Sequence, residues 1–274
     1  MIDAHQHFWK YDPVKHDWIG DDMAVIRRDF LPEQLAVVLK ENQLHGCVAV
    51  QADQTAAETD FLLELSLQHD FIKGVVGWTD LQSPQAGEVL DSYTRFPQLK
   101  GFRHILQGEK QRDLCLQKPF LDGISLLERF GFSYDILVLR DQLQYIPEFV
   151  SQFPNQRFVL DHLAKPAIKE GEISDWKRDI EQVAQYENVY CKVSGMVTEA
   201  DLQNWKEEDF RPYLDVVTAA FGMNRLMYGS DWPVCLAAGN YTRVINMVRS
   251  YFQSFTENEQ QAFFGDNAIR FYHL

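Results

Sequence analysis

The chain has 274 residues, 46% hydrophobic and 24% charged, which suits one packed globular domain of ordinary composition. A net charge of −14 opposes general affinity for nucleic acid or an anionic membrane surface. No apolar run reaches the ~18 residues of a membrane span, no basic-then-apolar leader opens the chain, and Cys47, Cys115, Cys191 and Cys235 form no Cys-x-x-Cys pair, so buried free thiols and a cytoplasmic location are the expectation.

The chain opens Met1-Ile2-Asp3-Ala4-His5-Gln6-His7-Phe8-Trp9. In a strand over 2–5, side chains two apart share a face, so His5 and His7 leave one strand end toward the same point. That geometry suits a metal ion or a polarised carbonyl oxygen. Residues 6–28, rich in Trp, Asp and His, read as a long loop that walls or covers a site. A helix is predicted over 32–42, with Pro32 in its opening turn and Leu35, Val38 and Leu39 at helical spacing. A strand over 47–51 follows, then Thr55 and Glu58 as a capping box ahead of Phe61, Leu62 and Leu65. Further strands fall at 73–78, 101–105, 132–137, 157–162, 189–194 and 226–229. Helical patterns fall between and after them, at 84–96, 119–130, 141–153, 174–186, 210–221 and 241–252. The tail, 257–274, reads as an extra helix packed on the outside.

Strand–helix alternation implies a parallel sheet with crossover helices. Eight units of about 34 residues fit a (β/α)₈ TIM-type barrel spanning 1–274 as one domain. The competing architecture, an open doubly wound sheet, lacks its Gly-x-Gly-x-x-Gly turn after an early strand.

A barrel of this kind carries its active site at the carboxyl ends of its strands. Those ends hold His5 and His7, Arg103-His104, Tyr134-Asp135, Asp161-His162, Lys192 and Ser230-Asp231-Trp232-Pro233. Each has an ordinary structural reading beside the functional one. His162 fits a core histidine bonded to a carbonyl, Asp231 a turn cap, and Arg103 a structural ion pair. Asp161 fits a group that orients a neighbour, and His104 alternates away from Arg103. The functional reading rests on the agreement of several strand ends, because an unpaired buried polar group costs about 1–3 kcal/mol.

His5-x-His7, Gly101-Phe102-Arg103, Leu160-Asp161-His162-Leu163-Ala164-Lys165-Pro166, Lys192-Val193-Ser194-Gly195 and Tyr228-Gly229-Ser230-Asp231-Trp232-Pro233 resemble the amidohydrolase superfamily. The likeness is narrower to its lactonase-type branch, which holds fuconolactonases and pyrone-dicarboxylate lactonases. It runs from Met1 to the Asn267–Tyr272 tail and implies a distorted barrel that hydrolyses a cyclic ester. It implies Asp231 as general base on water, with His5, His7 and His162 stabilising the oxyanion. Arg103, Tyr134, Lys192, Trp9 and Trp232 are the expected substrate contacts. Binuclear members carry a bridging Lys or Glu on strand four and a histidine on strand five; Arg103 and Tyr134-Asp135 stand there instead, which argues against two metals. His5, His7, His162 and Asp231 suit one zinc-like divalent ion, and catalysis without a metal is the alternative. The expected partner is a small sugar lactone. A metal-dependent decarboxylase and a non-catalytic sugar-binding barrel are the rival functions.

Overall fold

The computed structural model describes residues 1–274. Eight parallel strands run in sequence order round one sheet. They are β1 (Ile2–Gln6), β2 (Gly46–Val50), β3 (Ile72–Gly77), β4 (Leu99–His104), β5 (Ser133–Ile136), β6 (Phe158–Leu160), β7 (Val189–Val193) and β8 (Leu226–Tyr228). Helices α1 (Pro32–Glu41), α2 (Ala56–Gln68), α3 (Ala86–Tyr93), α4 (Lys118–Phe130), α5 (Ile146–Ser151), α6 (Ser174–Val183), α7 (Glu207–Phe221) and α8 (Tyr241–Phe252) each follow the strand of the same number. The expected (β/α)₈ barrel is present. Its closure is thin: β1 meets β8 through the single bridge Gln6–Trp232, so the barrel is distorted at that seam.

Alternation along the strands separates two apolar layers. Phe102, Tyr134, Phe158, Leu160, Cys191 and Tyr228 point outward into the layer beneath the helices. Ile2, Ala4, Val48, Val50, Val76, Val159 and Met227 meet in a separate cluster, and side chains from these five strands converge only inside the barrel. Ala268, Phe271 and Tyr272 join that inner cluster. Of the tail, α9 (Glu257–Gln261) buries no side chain and a π-helical turn packs Phe263 and Phe264 in the outer layer, as expected. By contrast, α10 (Asn267–Tyr272) plugs the barrel bottom, where an outer helix is expected. An amphipathic pattern predicts a buried face but not which layer buries it.

Three local departures have direct causes. The 141–153 helix shortens to a 3-10 turn and α5, because Pro147 provides no N–H and suits only a first helical turn. Helix α7 starts earlier than expected, at Glu207, where three acidic residues favour its positive end. The capping box at α2 is half formed. Thr55 Oγ accepts from Glu58 N at 3.3 Å, but the Glu58 carboxyl instead accepts from Ala52 N at 3.0 Å.

Two backbone irregularities aim side chains into the barrel mouth. On β1 the pairing with β2 shifts register between Asp3 and Gln6. Asp3 reaches outward to Tyr241 of α8, and Gln6 reaches Cys47 in the outer layer. Two residues, Ala4 and His5, thus occupy the inward stretch between them, a bulge that turns His5 into the interior. After β6, four consecutive non-glycine residues, His162 to Lys165, have φ of 53°, 54°, 55° and 51°. Left-handed backbone costs roughly 1–2 kcal/mol per such residue, and strain of this kind collects at functional sites. Trp176 Nε1, donating to Leu163 O at 2.7 Å, helps hold the turn.

Gly195 lies against this turn at φ +62°, and a Cβ there would sit 2.5 Å from His162 Nδ1. Gly195→Ala is expected to lower the melting temperature and displace the His162 ring. An unchanged melting curve and unchanged His162 ring resonances would contradict this. Burial pushes the Glu58 carboxyl from 4.5 up to about 7, against the bond from Ala52. A raised carboxyl favours folding below its unfolded value and loses that contribution as pH rises through the folded one. The melting temperature should therefore fall between pH 4.5 and about 7, by a component that Glu58→Gln removes. Identical pH profiles of the two proteins would refute the assignment.

Candidate active site

The thin seam of the barrel is where the polar strand ends meet. Asp231 N donates to His5 O at 2.8 Å, and His7 N donates to Trp232 O at 2.7 Å. Asp231 is itself left-handed, at φ 57°. These main-chain bonds place its carboxylate beside three imidazoles. Asp231 Oδ1 lies 3.3 Å from His7 Nε2, 3.8 Å from His5 Nε2 and 3.9 Å from His162 Nε2. All four side chains are buried.

Hydrogen bonds outside this group orient the rings. His7 Nδ1 donates to Val50 O at 2.7 Å, so the neutral ring carries its lone pair on Nε2. His162 Nδ1 bonds the Ser194 hydroxyl at 2.8 Å. His5 Nε2 lies 3.2 Å from His7 Nε2. The His7 lone pair thus faces the Asp231 carboxylate, an arrangement that a shared proton or a metal ion stabilises. Ligand atoms of His5, His162 and Asp231 lie within 4.8 Å of one another, so this donor set fits a metal ion.

Beneath lies a layer of buried charge. Arg103 NH1 donates to Asp161 Oδ2 at 3.0 Å, and NH2 donates to Gln51 O at 2.5 Å. Lys192 Nζ, wholly buried, donates to Asp135 Oδ2 at 2.5 Å and lies 3.0 Å from Asp161 Oδ1. Tyr272 of α10 donates to the same Asp135 oxygen at 2.7 Å. Asp161 Oδ1 and Lys192 Nζ are each 3.2 Å from His5 Nδ1.

Burial pushes His5 well below the usual imidazole range, with Asp161 opposing. It brings His162 down to about 4, with Asp231 opposing. For Asp231, burial alone would raise the carboxyl, but the surrounding imidazoles, His162 foremost, outweigh it and hold it below the usual carboxylate range. Asp161 likewise stays well below that range, because Lys192, His5 and Arg103 outweigh burial.

The group opens into a cleft of about 540 Å³. His7, His162, Asp231 and Arg103 border it. The remaining expected contacts lie elsewhere. Tyr134 points outward and packs on Phe120, Phe149 and Phe158; its strand neighbour Asp135, in register with Arg103, takes the inward place. Lys192 lies under His5 and does not reach the cleft. Trp9 is buried, donating to Arg28 O at 2.9 Å and bracing the neck of the long loop through Phe30. Trp232 packs edge-on against Phe8 and Phe30. The aromatic side chain that does border the cleft is Trp18, 42% exposed, from that same loop. Met23 and Val234, on two short helices, border it too. Strict alternation applied to Ser133-Tyr134-Asp135 would have exposed the Tyr134 error; nothing local in the sequence singles out Trp18.

A family model described as Amidohydrolase matches residues 2–274. An L-fucono-1,5-lactonase of Burkholderia multivorans is 39% identical, with 100% of this chain and 96% of that protein covered. A protein of the same name from Burkholderia ambifaria is 34% identical, covering 100% and 95%. A crystal structure of an amidohydrolase from Burkholderia multivorans with bound zinc superposes at a TM-score of 0.96, at 39% identity, covering 100% of this chain and 99% of that one. With a full-length family match and full-length relatives above 30% identity, the chain belongs to the amidohydrolase family.

Proposed function

We propose that the protein hydrolyses a sugar-derived aldonolactone, of the L-fucono-1,5-lactone type, to its acid. The observation that carries this reading is one buried carboxylate, Asp231, ringed by three imidazoles on the floor of an open cleft. The names of both full-length relatives support the same substrate class.

Asp231 takes a proton from the attacking water as its oxygen bonds the lactone carbonyl carbon. General-base help of this kind is worth about 10²–10⁴-fold, which suits an activated ester. The carbonyl oxygen becomes an oxyanion facing the imidazoles. His5 and His162 can present N–H donors to it, which supply the larger electrostatic contribution, while His7, whose N–H is spent on Val50 O, orients His5. Collapse breaks the bond to the ring oxygen, which takes the proton held by Asp231. Arg103 borders the cleft, where its guanidinium is assigned to a substrate oxygen. A zinc-like ion held by His5, His162 and Asp231 would act as a Lewis acid on the carbonyl or its water.

The decarboxylase alternative needs a site for a ring carboxylate. Each cleft cation already faces an acid: Lys15 with Asp53 at 4.0 Å, Arg103 with Asp161 at 3.0 Å and Lys165 with Glu199 at 3.0 Å. An uncharged lactone needs no unpaired cation. Buried free thiols fit a cytoplasmic location, and no helix is long and apolar enough to cross a membrane.

A pH-indicator screen against five- and six-membered aldonolactones tests the reading. Binding without turnover, or carbon dioxide release, would replace it with a rival. Asp231→Asn should lose at least about 10²-fold in kcat while folding and binding ligand; near-normal turnover would remove Asp231 as the base. In chelated enzyme the acid limb of kcat/KM should lie near the His162 value of about 4, well below the ordinary 6.5. As pH falls through that value, protonated His162 pairs with Asp231 and weakens the base. An acid limb near 6.5 would refute this. Elemental analysis followed by chelation divides the oxyanion roles. Lost turnover assigns the oxyanion to a metal; full turnover in metal-free protein assigns it to the imidazole N–H groups.

A further inference from the structure

We propose that Lys192 is a positioning residue that fixes the tautomer of His5, placing its proton on Nε2 toward the reaction centre. The ring is pulled two ways. Lys192 Nζ donates toward His5 Nδ1 at 3.2 Å, which leaves the ring proton on Nε2. Arg103 NH1 approaches His5 Nε2 at 3.3 Å, which favours the proton on Nδ1 with Asp161 as its acceptor at 3.2 Å. A neutral imidazole accepts at one nitrogen only.

His7 decides between them. Its Nδ1 is committed as a donor to Val50 O, so its Nε2 can only accept. The group 3.2 Å from that lone pair is His5 Nε2. A proton on His5 Nε2 gives one unidirectional chain, Lys192 to His5 to His7 to Val50. The opposite tautomer sets two nitrogen lone pairs against each other. Lys192 is well placed to start the chain. Its Nζ hydrogen-bonds Asp135 Oδ2 and His5 Nδ1, lies 3.0 Å from Asp161 Oδ1 and is wholly buried. Arg103 is anchored to Asp161 and the Gln51 carbonyl, so its contact with His5 is the weaker claim.

The consequence is chemical. In the metal-free centre the His5 Nε2 proton rests on His7 and can turn to an oxyanion, a stronger acceptor, as it forms, whereas the other tautomer presents a lone pair there. Lys192 therefore acts on the reaction without touching substrate, through a ring whose net charge it leaves unchanged. Only the kinetic consequence rests on the lactonase reading.

The test is NMR of ¹⁵N-histidine-labelled full-length protein in chelator at neutral pH, with His5 assigned by its loss in His5→Gln. The parent should show His5 protonated on Nε2. Lys192→Met should shift the proton to Nδ1. Because that variant leaves two buried carboxylates short of a cation, the double variant Asp135→Asn/Lys192→Met carries the test if the single one does not fold. Asp135→Asn alone should keep the parent tautomer. Lys192→Met, or the double variant, should also lower kcat on L-fucono-1,5-lactone about 10–100-fold, the usual effect of losing a group that orients a site histidine, with KM unchanged. The same tautomer with and without Lys192 overturns the proposal. So does a tautomer shift with full kcat, or a raised KM at full kcat, which would make Lys192 a substrate contact. If the parent turns over no lactone, the functional reading fails while the NMR arm still decides the role of Lys192.

Discussion

Two main-chain hydrogen bonds across the β1–β8 seam hold the site together. His5 O accepts from Asp231 N, and His7 N donates to Trp232 O. They close the barrel, and in closing it they bring residues from opposite ends of the chain within contact. No side-chain affinity is needed to assemble the centre; the last register of the sheet does it. The β1 bulge and the left-handed Asp231 are local adjustments that aim side chains once the seam is made. The left-handed turn from His162 to Lys165 adds the third imidazole from β6. Regular β geometry would leave His5 outside and His162 elsewhere, so part of the folding free energy is held as strain at the barrel mouth.

Below the seam, charge replaces hydrocarbon. Asp135, Asp161, Arg103 and Lys192 are all buried. Burying ions is expensive unless each meets good partners, and hydrophobic replacements are often at least as stable. Stability alone therefore does not account for this layer. What it provides is a set of fixed dipoles and charges around His5, whose orientation depends on which neighbour binds its Nδ1. The layer is sealed by α10, whose Tyr272 hydroxyl donates to Asp135 Oδ2 from below. The C-terminal helix thus joins the barrel bottom to the chemistry at the top through one chain of contacts.

Much of the centre was readable before the fold. His5 and His7 at one strand end, and His162 and Asp231 at two others, were selected by the rule that parallel barrels present their carboxyl ends to substrate, and they do converge. Tyr134, Lys192, Trp9 and Trp232 were selected by chemical type, and the fold sends them elsewhere. Tyr134 and Asp135 differ by one position, and one position in a strand is the opposite face. Lys192 has the right face but lies one layer too deep. Trp9 and Trp232 are large apolar rings, and burial around Phe30 claims them before any ligand does.

The sequence alone determined the element order, the parallel barrel and the strand ends that carry polar groups, because these follow from periodicity and alternation within short segments. It also specified which chemical groups stand at those ends, such as the carboxylate of Asp231. Only the tertiary structure decided depth, layer and partner: that Asp161 and Lys192 compete for His5, that α10 fills the barrel bottom and that Trp18 walls the cleft. Those are distances between residues far apart in the chain. They are set by barrel closure and by irregular backbone at the bulge and the left-handed turns, where local pattern carries no long-range geometry.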